Sequence, residues 1–390
     1  MDTRLGAPAC DAPGGPLAGG AVRTENARVT CGGITIPADA QAIVGNATAI
    51  NTVPGGVAGY ITLYPSGAPR PTVSNLNYVP NQIVPNAFTV GLGGDGAFNI
   101  YATSGVNFIV DITGYYAPPG TGGLYYHPLP TPVRLLDTRL GQPACDTPDT
   151  ALTGGASRTQ NLRTTCGGVT IPSSALVAVG NATVVNDVVG ATDGYITLYP
   201  SGSGLPTASN LNYVPGQVVP NAFTVGLGGD GAFNIFASSS TNFIVDITGY
   251  YSDQATDING TGLLYYALPN PVRLLDTRAG QPACDAPGTP LSSGATRTEA
   301  ARTVCLGIPS IASVVVGNAT VVNTTAGSAS GYITLYPSGA AQPTVSNLNY
   351  VPGQVVPNSF TVGLGSDGAF NIYASSSTHF IADVTGYFAP

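Results

Sequence analysis

The sequence predicts an all-β protein of three tandem homologous antiparallel β-sandwiches, with jelly-roll or Greek-key-like connections and one disulfide in each. Three observations carry this expectation. The text GYITLYPSG returns at residues 59–67, 194–202 and 331–339. That period of roughly 135–139 residues marks whole repeated domains, since solenoid units run only about 20–50 residues. Val, Ile, Thr, Tyr and Asn dominate between 52 Gly and 33 Pro, with no apolar stripe at the helical period, which is the composition of strands and tight turns. Two cysteines recur per unit at one spacing, Cys10 and Cys31, Cys145 and Cys166, Cys284 and Cys305, so three disulfides inside the repeats and an oxidising compartment are expected. In the chain-entropy model a closed loop of that size stabilises its domain by about 3 kcal/mol.

Repeat 2 shows the elements in order. Residues 133–139 open as a strand and lead into the disulfide loop, and 158–165 form a second. The longest strand, 176–186, alternates cleanly: Val177, Val179, Asn181, Thr183 and Val185 point one way, Leu176, Ala178, Gly180, Ala182 and Val184 the other. One face is core and the other small or covered. Strands follow at 195–199, 208–213, 222–227, 232–237 and 242–250. Between the last three, Gly229-Asp230-Gly231 supplies the positive φ of a tight hairpin, kept at Asp95-Gly96 and Asp367-Gly368. Some eight strands with Gly, Pro and Asn turns fit a two-sheet sandwich, a small barrel being the competing architecture.

The expected domains are 1–117, 118–252 and 253–390. The links, 117–123 and 252–262, are flanked by tyrosine pairs: Tyr115-Tyr116 with Tyr125-Tyr126, and Tyr250-Tyr251 with Tyr265-Tyr266. These eight residues are expected at interdomain or assembly contacts. Two registers remain open, because segment 124–136 could open repeat 2 or fold back to close repeat 1. Repeats 2 and 3 begin PVRLLDTR, whereas repeat 1 enters at Asp2-Thr3-Arg4, so the chain reads as a segment of something longer, with any leader outside it. A terminal repeat lacking this segment is expected to present an uncovered sheet edge, a ready site for strand addition.

Charged residues make up only 8% of the chain, all twelve basic residues are Arg, and the net charge is −8. Phosphate binding needs clustered positive charge, so nucleic acid is not an expected partner. No apolar run approaches the length of a membrane span. No histidine recurs: His127 aligns with Ala267, and His379 with Asn107 and Asn242. Glu25 and Glu299 align with Gln160, which removes glutamate from any repeated acid–base pair. Nucleophile-elbow, P-loop, zinc-protease and Rossmann patterns are missing. No enzyme activity, metal or cofactor is expected.

Asp111, Asp246 and Asp383 sit inside the apolar last strand, where an unpaired carboxylate is costly. The recurrent Arg4, Arg139 and Arg278, beside Asp2, Asp137 and Asp276, are the expected partners in a structural charge network. Asn46-Ala47-Thr48, Asn181-Ala182-Thr183 and Asn318-Ala319-Thr320 match the N-glycosylation sequon but read as mid-strand alternation. Tyr64, Tyr199 and Tyr336, with Tyr78, Tyr213 and Tyr350, either form a sugar-stacking surface or close the sandwich ends through their hydroxyls.

With PVRLLDTR, GYITLYPSG, PTxSNLNYV, VPN and VDITGYY in each other's company, the chain resembles a repeat domain found in secreted and surface proteins of actinobacteria and similar bacteria. There it occurs alone, in tandem, or appended to exoenzymes. The resemblance implies a β-rich extracellular module with no catalytic residues to transfer. The expected role is structural or adhesive: a surface stalk, adhesin or fibre subunit joined non-covalently to copies of itself, with a three-copy glycan- or cell-wall-binding module as the alternative.

Overall fold

In repeat 2 the main strands in chain order are Tyr125–Asp137, Ala156–Asn161, Ala175–Val185, Gly194–Pro200, Leu211–Tyr213, Val218–Gly226, Ala232–Ala237 and Asn242–Ser252. Numbered first to eighth, they form two antiparallel sheets, first–eighth–third–sixth and second–seventh–fourth–fifth. That is the strand order of an eight-stranded jelly roll, two Greek keys wrapped together. Repeat 3 repeats it from Leu264–Asp276 to His379–Ala389. The computed structural model describes residues 1–390 apart from Val53, Pro54, Pro119, Thr121, Gly122 and Ala326. Part of the 117–123 link therefore lies outside the described residues.

The pairing decides the register of the linking segments. Tyr125–Asp137 pairs with Asn242–Ser252, and Leu264–Asp276 with His379–Ala389, so each segment opens the repeat that follows it. Residues 253–263, expected to begin repeat 3, pack instead on repeat 2: Asn259 donates to the carbonyl of Thr170 and the hydroxyl of Tyr250. Repeat 1 has a three-stranded sheet where the others have four. Its last strand, Asn107–Tyr116, is covered at one end by Met1–Thr3, through the bridge between Asp2 and Ile109 and the Met1 ammonium on the Val110 carbonyl (3.1 Å). Along 111–116 no strand pairs on that side among the described residues.

Both first strands carry prolines, and the sixth strand starts at Val218, earlier than the sequence reading, with Pro220 inside it. Both positions are sheet edges, where a missing N–H breaks no ladder bond. The core of each sandwich holds three phenylalanines: Phe88, Phe98 and Phe108; Phe223, Phe233 and Phe243; Phe360, Phe370 and Phe380, none more than 3% exposed. Each such ring contributes roughly 2–3 kcal/mol of apolar burial. Opposite them the third strand is small: Ala178, Ala182 and Val184 line the core of repeat 2.

The disulfides Cys10–Cys31, Cys145–Cys166 and Cys284–Cys305 join Cα atoms 5.8, 5.6 and 5.8 Å apart, within ordinary bridging distance. The Asp-Gly hairpins hold Gly96, Gly231 and Gly368 at φ of 78°, 78° and 77°, as the turn chemistry requires. Gly180 is constrained by space instead: a Cβ there would lie 2.1 Å from the Asp246 carbonyl oxygen, at the bulge where third and eighth strands shift register. Gly180→Ala is therefore expected to destabilise the protein by about 2 kcal/mol or more through overpacking, read as a lower urea midpoint. An unchanged midpoint would show that the bulge relaxes freely.

Candidate functional site

The second face of the third strand is buried against another repeat. The three jelly rolls are not strung out; they close into a triangle whose axis is lined by the sixth strands, Ile83–Gly91, Val218–Gly226 and Gln354–Gly363. At the centre the sequon asparagines each reach a neighbour: Asn46 Nδ2 donates to the Ser209 carbonyl (3.0 Å), Asn181 to Ser346 (2.9 Å) and Asn318 to Ser74 (2.7 Å). The VPN asparagines complete the circuit. Asn221 donates to Asn46 Oδ1 (2.8 Å), Asn358 to Asn181 Oδ1 (2.7 Å) and Asn86 to Asn318 Oδ1 (2.7 Å). In return their own Oδ1 atoms accept from the backbone N–H of Ala87, Ala222 and Ser359 across the same interfaces: Asn221 from Ala87, Asn358 from Ala222 and Asn86 from Ser359. A buried amide left unpaired is costly, and here a neighbouring repeat supplies the partners. The sequons are thus interface residues, 3–4% exposed and closed to glycosylation in the folded chain.

Above the amide ring lies an aromatic cluster. Tyr116, Tyr251 and Phe388, equivalent ends of the three last strands, meet with Tyr126 and Tyr265 from the first strands. Tyr126 stacks on Phe388 (4.6 Å), Tyr265 on Tyr116 (4.3 Å), and the hydroxyls of Tyr116 and Tyr251 are 2.6 Å apart. Burial pushes the Tyr116 hydroxyl up to about 12. Of the eight tyrosines expected at interdomain contacts, Tyr116, Tyr126, Tyr251 and Tyr265 are there. Tyr250 is buried within repeat 2, its ring parallel to His127 and its hydroxyl on Asp257. Tyr266 stacks on Tyr387 and, like Tyr115, stays exposed, while Tyr125 is partly buried at the edge of repeat 2. The pairing places His127 opposite Tyr250 and Tyr266 opposite Tyr387, so the counterpart of His127 is Tyr266, and Ala267 corresponds to Pro128.

The charge network is real but differently paired. Asp246 is gripped by Arg134 (Nε–Oδ1 2.9 Å, Nη2–Oδ2 3.2 Å) and Asp383 by Arg273 (2.8 and 3.2 Å). Arg139, Arg278 and Arg4 instead clamp Asp137, Asp276 and Asp2, two residues back on the same side of the chain. The reason is register: Arg134 stands directly across from Asp246 and Arg273 from Asp383, whereas the later arginines lie past the strand end. The buried carboxylates also accept across interfaces, Asp383 from Ser74 N–H (3.2 Å) and Asp246 from Ser346 N–H (3.4 Å). Asp111 makes no salt bridge among the described residues, and burial raises its pKa.

The six tyrosines offered as a stacking surface are at most 7% exposed, which removes that surface. Tyr78, Tyr213 and Tyr350 donate to the carbonyls of Ser104, Ser239 and Ser376, and Tyr199 bonds Ser157, so they close the sandwich ends. At the other end of the axis the three repeats enclose a funnel of about 870 Å³, lined by Asn77, Gln82, Val84 and their equivalents. Among the described residues no group of His, Cys, Asp or Glu is placed to hold a metal ion, and no helix is long and apolar enough to cross a membrane.

No protein-family model matches the chain, and no curated protein matches it. Among solved structures, the chain is similar to one described as the triple jelly roll fold and turret assembly in an archaeal virus, at 10% identity and a TM-score of 0.20, covering 99% of this chain and 89% of that one. Another describes the atomic structure of Sulfolobus Turreted Icosahedral Virus, at 12% identity and a TM-score of 0.16, covering 91% and 82%. Backbone overlap this low carries no argument about fold or function.

Two measurements check the site. Asn221→Leu leaves Asn46 Oδ1, the Ala87 N–H and the Asn210 carbonyl without partners; at about 1–3 kcal/mol per orphan it is expected to destabilise by at least about 3 kcal/mol and to split a single calorimetric transition. A single transition at the original midpoint would contradict the ring. Glu299, 3% exposed, has a pKa raised from 4.5 to about 7, chiefly by burial, with Arg297 opposing. Its folded form holds the proton longer than the unfolded chain, so its stabilisation is full below about pH 4.5 and lost as pH rises through 7. Glu299→Gln, the residue type at the equivalent Gln160, should match the parent near pH 4 and exceed it by on the order of 2 kcal/mol at pH 8; equal stability at both would refute the assignment.

Proposed function

We propose that the chain is a non-catalytic structural unit of an extracellular bacterial surface assembly, a stalk, adhesin or fibre building block. The observation that supports this best is the set of axial amides, which ties each repeat to the next across all three interfaces and spends the recurrent polar residues on holding them together. Three disulfides and a surface poor in charge suit an oxidising, protease-exposed setting. The resemblance to repeats of secreted and surface proteins points the same way. The glycan-binding alternative has lost the stacking surface expected of Tyr64, Tyr78 and their equivalents.

Partners are other copies of this unit, met non-covalently through exposed sheet edges, since a row of unpaired N–H and C=O groups is a template for another strand. Electron microscopy of the non-reduced chain across a concentration series is expected to give compact triangular particles that associate as concentration rises. Particles that stay single at every concentration would contradict self-association.

A further inference from the structure

The funnel at the far end of the axis opens through a mouth that all three repeats build alike. The turns 79–82, 214–217 and 351–354 contribute its rim, each with a proline second and a residue at positive φ third, Asn81, Gly216 and Gly353 (63°, 76° and 83°). In each turn the glutamine side chain folds back, its Oε1 accepting from the N–H of Val79, Val214 or Val351 at 3.2, 3.2 and 3.1 Å. That bond fixes the amide and leaves Nε2 a donor with no partner among the described residues. On the adjoining fifth strands Asn77, Asn212 and Asn349 donate through Nδ2 to the hydroxyls of Ser74, Ser209 and Ser346. Each Oδ1 is then a spare acceptor in the same wall. The rim valines Val79, Val214 and Val351 are 44%, 42% and 45% exposed, and Ile83 and Val218 of the same mouth are about equally open. An exposed apolar ring with polar groups set among it marks a contact surface.

We propose that two copies of this chain pair mouth to mouth through the rim, about a twofold axis perpendicular to the axis of the repeats. Three features select a second copy as the occupant. A rim that repeats three times is met in full only by a partner with the same repetition, which this chain has. The spare groups are equal in number and opposite in sense, glutamine Nε2 donors and asparagine Oδ1 acceptors, so the surface is self-complementary, as a twofold contact requires. The chain carries a net charge of −8, yet Asp193 is the one charged residue among those lining the funnel, so like-charged copies meet here with little repulsion. The rigid turns help, since a preorganised rim loses little freedom on binding. The inference rests on the reading of the chain as a self-associating unit and assigns one face to that association. A twofold contact closes at two copies, and any larger assembly uses a different edge.

Sedimentation velocity of the full non-reduced chain, from micromolar to about 1 mM, the weak end of specific association, is expected to show a reversible equilibrium between one copy and two. Combining Val79→Glu, Val214→Glu and Val351→Glu should weaken pairing at least about tenfold, because like charges then face each other across the contact. The arginine set, Val79→Arg, Val214→Arg and Val351→Arg, should weaken it as much by itself, while an equimolar mixture of the two sets forms a mixed dimer, a recovery that misfolding would not reproduce. Leu140→Glu, on an exposed disulfide loop outside the funnel, should change nothing. In the parent chain, hydrogen exchange at amides 79–83, 214–218 and 351–355 should slow as concentration rises. A parent that stays single throughout overturns the proposal together with the self-association reading. Association that the glutamate set leaves unchanged, a mixture that stays single, or protection confined to other amides overturns the proposal and leaves that reading in place.

Discussion

The buried asparagine ring is the constraint on which the rest of the molecule depends. Six amides near the axis, Asn46, Asn86, Asn181, Asn221, Asn318 and Asn358, are almost wholly removed from water, and their hydrogen bonds run from each repeat to the next. Were the repeats packed together without these bonds, each amide left buried and unpaired would cost about 1–3 kcal/mol, a large part of a domain's net stability. The same network explains why Asn181 and Thr183 interrupt the valines on the second face of the third strand while both faces are buried. It also specifies orientation, because amide geometry accepts one rotation of neighbour on neighbour, whereas the aromatic cluster above it contributes area with looser direction.

Around that axis the first strand has two tasks. It covers the eighth strand of its own sandwich, and it delivers an arginine and a tyrosine to the contacts between repeats. Arg134 neutralises Asp246 at the point where Asp246 also accepts from Ser346 of the next repeat, so intradomain and interdomain order are coupled through one carboxylate.

Much of the fold was legible in the sequence because jelly-roll strands obey a period of two and their turns demand Gly, Asn or Pro at fixed places; the 176–186 alternation and the Asp-Gly hairpins are both found where expected. Other features depended on tertiary context. Asn181 and Thr183 read as accidental polar residues, although their recurrence on the second face of an otherwise apolar strand was the signal that another surface buries that face. The partner of Asp246 was misassigned to Arg139 because sequence spacing cannot reveal two register shifts in the first strand. Tyr64, Tyr78 and their equivalents were ambiguous since tyrosine suits both a sandwich end and an open surface, and only burial separates the two. The repeated text itself said nothing of closure: a string of beads and a triangle share one sequence pattern.

Small-angle X-ray scattering of the non-reduced chain in dilute solution tests that closure most directly. A closed triangle of three jelly rolls is expected to have a radius of gyration near the compact-globule value for this length, about 21 Å, with a bell-shaped distance distribution. A radius of roughly 30 Å with an elongated, multi-peaked distribution, as for three linked but separate sandwiches, would contradict the ring and every interface that depends on it.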